Sequence, residues 1–169
     1  MKRVSGVFLL LLSGVAACVA ADADAPPVMR VPFTLSLHVD REHYYEEKIG
    51  EMPYVYRSGI YLMKGDNFGV ALDIRDGKLT AVTYQPDLKK ADVTFEFSQL
   101  VEADGSSMMK LTIHNQTAFA LKMRALMTVP GEKKAIETSI LPIQPGLTDL
   151  ESWPHPIVKL LLHDVQVGG

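Results

Sequence analysis

His38, Asp40 and Glu42 stand at alternate positions. On a β-strand they would share one face, about 7 Å from one to the next. An imidazole and two carboxylates at that spacing are zinc-ligand types. A polar face is also what an antiparallel sheet ordinarily turns to water, and neither a His-x-His pair nor a second cluster accompanies the three. Eight methionines, with His114 near Met108 and Met109, match the thioether and imidazole chemistry of Cu(I). The spacing is poor for it. Met123 and Met127 would lie about 13 Å apart along a strand, and Met108 and Met109 would point to opposite faces. Core filling accounts better for most of the methionines. Ser107 and Lys110 match a Ser-x-x-Lys string, but that nucleophile belongs at the start of a buried helix with partner motifs elsewhere. Here it falls at a hairpin with no partner motif.

Two segments carry the residue types of binding surfaces. Residues 42–56 contain Tyr44, Tyr45, Tyr54 and Tyr56 in a polar surrounding. Tyrosine offers a large area, a hydrogen-bonding tip and little entropy to lose. The competing reading folds Tyr44, Tyr45 and Tyr54 over an open end of the core. In the second segment Trp153-Pro154-His155-Pro156 is stiffened by its prolines. Trp153 there is a core plug or a docking knob, with His155 beside it in the docking reading.

The elements that must position these residues are strands. Phe33, Leu35, Leu37 and Val39 alternate with polar neighbours, which marks a half-buried strand. Further strands are expected over residues 54–63, 68–74, 78–85, 93–101, 109–113, 118–129, 135–143 and 157–167, separated by Gly65-Asp66, Asp76-Gly77, Asp104-Gly105 and Pro130-Gly131. Asp76-Gly77 is the clearest hairpin turn, since both residues tolerate positive φ. Asn115-Gln116-Thr117 fits a glycosylation sequon but is expected as a tight polar turn, with Asn in left-handed φ. One helical turn is expected at residues 148–153, where Thr148 and Glu151 stand as a capping box and Pro154 stops it. The spacing predicts an all-β fold, an antiparallel sandwich of immunoglobulin-like type with a small β-barrel as the alternative. It resembles small envelope sandwiches in general. A Cys…Trp…Cys signature is absent.

Residues 1–17 open with Lys2 and Arg3 and continue into the apolar run Val7–Leu12, too short to span a bilayer. Val15-Ala16-Ala17-Cys18 resembles a lipobox, the end of a bacterial lipoprotein export signal. The resemblance implies acylation of Cys18 and an outer-membrane lipid anchor facing the periplasm; the alternative is ordinary cleavage near Ala21 and a soluble periplasmic or secreted protein. Residues 18–30, with alternating Ala and Asp and then Pro26-Pro27, form the tether, and 31–169 the single domain. The formal charge of −3 becomes −5 once Lys2 and Arg3 are removed. An acidic chain excludes the basic footprint that nucleic acid requires. No motif calls for a cofactor, and a single cysteine allows no internal disulfide. The expected function is a non-catalytic binding or accessory module of the cell envelope, with a protein partner. Metal handling through His38, Asp40 and Glu42 or the methionines, and hydrolysis by scattered carboxylates, are the alternatives.

Overall fold

The computed structural model describes residues 26–168. The expected export signal, Cys18 and most of the tether lie outside the described residues. Fourteen strands are present among those described: β1 (Met29–Arg30), β2 (Phe33–His38), β3 (Tyr44–Ile49), β4 (Met52–Pro53), β5 (Val55–Tyr56), β6 (Gly59–Leu62), β7 (Asp66–Arg75), β8 (Lys78–Gln85), β9 (Val93–Val101), β10 (Ser107–Asn115), β11 (Ala120–Thr128), β12 (Ile136–Ser139), β13 (Thr148–Trp153) and β14 (Lys159–Gly168).

Two five-stranded antiparallel sheets, in the orders β13-β10-β9-β7-β8 and β12-β11-β14-β6-β5, pack face to face. They share no strand and do not close, so the fold is the sandwich and not the barrel. Period-two alternation explains the core. Phe95, Phe97, Leu111 and Ile113 point inward from one sheet, and Leu121, Ala125, Leu160 and Leu162 from the other, all at most 1 % exposed. β10 and β11 belong to different sheets, so the Asn115–Thr117 turn is an arch between layers. Asn115 is fully buried there. Its Oδ1 accepts from Thr117 N–H (3.0 Å) and Thr117 Oγ1 (2.7 Å). Its φ is not positive; a side-chain-closed turn replaces the expected left-handed one. Phe119 is only half-buried at this arch.

Four other expectations are corrected. Residues 148–153 form strand β13, not a helical turn, because pairing along the whole of β10 satisfies their backbone groups. The single strand expected over residues 54–63 is a hairpin whose turn, Arg57-Ser58, has φ of 48° and 62°. Residues 44–49, outside every expected strand, form β3, which pairs with β2 along its whole length. Val28–Arg30, read as the end of the tether, dock onto the domain: β1 pairs with β4, and Tyr54 N–H donates to Val28 O. Arg30 is buried. Its guanidinium bonds Asp66 Oδ2 (2.6 Å) and Tyr61 O (3.0 Å) and lies 4.1 Å from the centroid of the Tyr54 ring.

Candidate functional site

The β2–β3 hairpin closes one end of the sandwich, and its inward face (Leu35, Leu37, Ile49) joins the core. Its tip, residues 39–43, lies beside the β9–β10 turn, residues 102–106. Gln99 makes the join. Its Oε1 accepts the His38 N–H (2.9 Å), and its Nε2 donates to His38 O (2.8 Å), as a neighbouring strand would. Ser107 Oγ adds a bond to His38 O (3.1 Å), and Arg41 Nε donates to Asp104 O. Arg41 also lies over Gly105, whose positive φ of 84° makes the turn possible and whose missing side chain leaves the room.

Exposed apolar side chains stand on both hairpins of this end, on different faces. Val39, Tyr44, Leu100, Val101 and Met108 are between 37 and 59 % exposed. Leu100 and Met108 are cross-strand neighbours on the outer face, Val101 pairs with Ser107, and Tyr44 meets the His38 ring edge-on at 4.3 Å. The two tips carry Asp40, Glu42, Glu102 and Asp104, all exposed, with Arg41 as the opposing cation within them. The Glu42 N–H and the His43 side chain hold the Asp40 carboxyl below its usual pKa, and the Ser106 hydroxyl and N–H do the same for Asp104. Both tips therefore stay anionic into mild acid.

The sequence candidates are divided by the fold. His38, Asp40 and Tyr44 sit at this end, but Asp40 is engaged with His43 Nδ1 (2.8 Å) and the N–H groups of Glu42 and His43. Among the described residues, no group of three or more His, Cys, Asp or Glu is placed to hold a metal ion, so His38, Asp40 and Glu42 do not converge. Met63, Met109, Met123 and Met127 are buried in the core, away from a common point with His114, whose Nδ1 pairs with Thr148 Oγ1. Ser107 and Lys110 are on opposite faces of β10.

The four tyrosines do not share a surface. Tyr44 is exposed. Tyr45 lies on the opposite face of β3 against the core, its hydroxyl donating to Glu47, a bond that raises the phenol pKa. Tyr54 stacks on Tyr84 (4.4 Å) within the Arg30 cluster, and Tyr56 is on the outer face of the other sheet with Arg57 over its ring (5.3 Å). Trp153 is a core plug, 7 % exposed, with Nε1 donating to Thr138 Oγ1 (3.3 Å) and its ring edge-on to Phe97. His155 is half-buried in the turn that follows. A shallow cleft of about 310 Å³ lies at the opposite end of β3, where Glu47 and Glu51 alternate with Lys48 and Lys159.

Gln99, Leu100 and Val101 are not among the candidate residues of the sequence, and Met108 is there only as a thioether. A signal existed. Leu100-Val101 and Met108-Met109 are apolar doublets at strand ends, and a strand must turn one member of each doublet outward.

Fold and site together define an antiparallel β-sandwich with one end braced by side-chain hydrogen bonds and carrying four exposed carboxylates. Comparison with family models, with curated proteins and with solved structures finds no match.

Proposed function

We propose that this protein is a non-catalytic binding module of the bacterial cell envelope, anchored by lipid on Cys18. The observation that carries the binding reading is the clasped end. Five exposed large apolar side chains are held there on two hairpins cross-braced by Gln99, Ser107 and Arg41. Leu100 and Met108 are exposed neighbours on one outer face, and an apolar pair held on a braced hairpin loses little entropy on association. Nothing at the same end supports group transfer: the Ser107 hydroxyl is committed to a backbone carbonyl, and His43 to a carboxylate that orders the loop.

The anchor rests on the lipobox-like Val15–Cys18 and the outer-membrane address on Val19, which is not the Asp that favours inner-membrane retention. Palmitate labelling of the wild type and of Cys18→Ala tests it; equal release of both into the soluble fraction refutes the anchor. For the binding reading, a photo-crosslinker at Leu100 in cells should give one stoichiometric adduct that is lost in Met108→Ser protein of unchanged Tm. A crosslinker at Thr83, on the outer face of β8, is the control. Equal yields from both positions refute the clasped end as the interface.

A further inference from the structure

We infer that the corner where the chain enters the domain, residues 26–32, rests on the bilayer that carries the Cys18 lipid. The inference depends on the anchor proposed above and adds which face of the domain meets the membrane. Polarity is inverted along this run. Pro26, Pro27, Val28, Met29, Val31 and Pro32 have apolar side chains and are all exposed, Val28 by 50 %, Met29 by 43 % and Val31 by 77 %. Arg30, the one charged residue of the run, is 4 % exposed. A strand facing water does the reverse, so a buried charge between exposed apolar neighbours points to a second, apolar medium.

The fold holds the run in that attitude. Arg30 turns inward to Asp66, Tyr61 O and the Tyr54 ring, so Met29 and Val31, one position to either side, share the outward face. Pairing of Met29 with Pro53 and of Arg30 with Met52 straps the segment to the domain. Chain length names the occupant. Pro26 is eight residues after Cys18, and eight residues reach at most about 28 Å. No other described residue is nearer the anchor along the chain. A contact made within so short a reach acts at an effective concentration on the order of millimolar, so a small apolar patch is enough. The charge balance fits as well. Residues 26–32 hold no acid, and Arg30 is matched by Asp66. The apolar side chains therefore enter the boundary between headgroups and acyl chains without carrying an unpaired charge there.

The test uses the acylated full-length protein in vesicles of phosphatidylethanolamine and phosphatidylglycerol, doped with a lipid that carries a quencher just below the headgroup. Cys18 is the only cysteine, so once its sulfur is acylated an introduced cysteine is the one thiol a fluorophore can label. A label at Val31→Cys should be quenched several-fold more than one at Leu141→Cys. Leu141 is the control because it is apolar, 67 % exposed and follows β12, at the edge of its sheet opposite β5, into which β4 leads. Val28→Ser/Met29→Ser should abolish the difference, with Tm and palmitate labelling at the wild-type level. Equal quenching at the two positions overturns the inference. So does quenching at Val31→Cys that ignores the double substitution, which is proximity through the tether alone. A concentration-dependent dimer in detergent that Val28→Ser/Met29→Ser dissolves also overturns it and gives the run to a second copy. In these outcomes palmitate labelling persists and the anchor stands. A wild-type protein that takes up no palmitate removes the anchor and this inference together.

Discussion

Gln99 pairs with both backbone groups of His38, 61 residues earlier in the chain, accepting its N–H at 2.9 Å and donating to its C=O at 2.8 Å. One carboxamide thus takes the place of a neighbouring strand at the point where β2 leaves the sheet. Gln99→Leu keeps the approximate size and removes both partners. Leaving a buried polar group unpaired costs about 1–3 kcal/mol, and each kcal/mol lowers Tm by about 2–4 °C at this size. The His38 amide should also exchange markedly faster while the Leu111 amide does not. Equal exchange at His38 in both proteins would show that Gln99 does not brace the tip.

Alternation made β9, β10 and β11 legible, because every inward position from Phe95 to Phe97 and from Leu111 to Ile113 is apolar. β13 inverts that rule. Asp149, Glu151 and Trp153 face inward while Leu150 is 63 % exposed, so its pattern gives no strand signal, and Thr148 with Glu151 imitates a helix cap instead. β3 hides for a related reason: on its inward side only Tyr45 and Ile49 are apolar, with Glu47 between them. Inward charge on an edge strand discourages another strand from pairing there, a device that costs sequence legibility. The clasped end was half-legible. Tyr44 and the His38–Glu42 run drew notice, whereas Gln99 acts across a separation that no local pattern carries.

Asp149 and Glu151 have a consequence for pH. Burial first, and the neighbouring Asp149 carboxyl besides, raise the Glu151 pKa, with the Leu141 N–H opposing; Asp149 Oδ2 is buried with no partner. A carboxyl whose folded pKa is raised contributes its stability below the unfolded value and loses it as pH rises through the folded one. Glu151→Gln should therefore raise Tm at pH 7 and leave it unchanged well below the ordinary glutamate value of 4.5. Thermal melts of both proteins from pH 3.5 to 8 measure this. A Tm difference constant across that range would contradict the pair.

Arg30 and Asp66 form the buried ion pair that ties β1 to the domain, at 2.6 Å with side chains 5 and 13 % exposed. Asp66→Asn leaves the guanidinium as an uncompensated buried charge, which costs about 3–5 kcal/mol. Arg30→Met leaves a carboxyl that can take a proton instead. Burial already raises the Asp66 pKa against the pull of the Met63 N–H and Arg30, and removing Arg30 removes one of the opposing forces. The Arg30→Met protein should thus approach wild-type stability in acid and lose ground as pH rises above 3.8, the ordinary aspartate value. Asp66→Asn should show no such recovery. Urea denaturation at pH 4 and pH 7 separates the two, and parallel losses at both pH values would show that the pair is not acting through charge.

Asn115 provides the sharpest single-atom test of the fold. Its Nδ2 lies 2.8 Å from Phe119 O, 3.1 Å from Ile143 O and 3.2 Å from Gln144 O, so one amide nitrogen ties the arch between the sheets to the segment leading into β13. Asn115→Asp is nearly isosteric and keeps the Oδ1 bonds to Thr117, but it turns a carboxylate oxygen toward three carbonyls. A buried charge without a partner costs about 3–5 kcal/mol, a fall of roughly 10 °C in Tm. Protonation restores one donor, so the loss should shrink as pH falls, whereas Asn115→Leu should be destabilised equally at every pH. The full burial of Asn115 also means that no glycan can occupy this sequon in the folded protein, and a Tm for Asn115→Asp within 2 °C of wild type at pH 7 would refute the three-way bond.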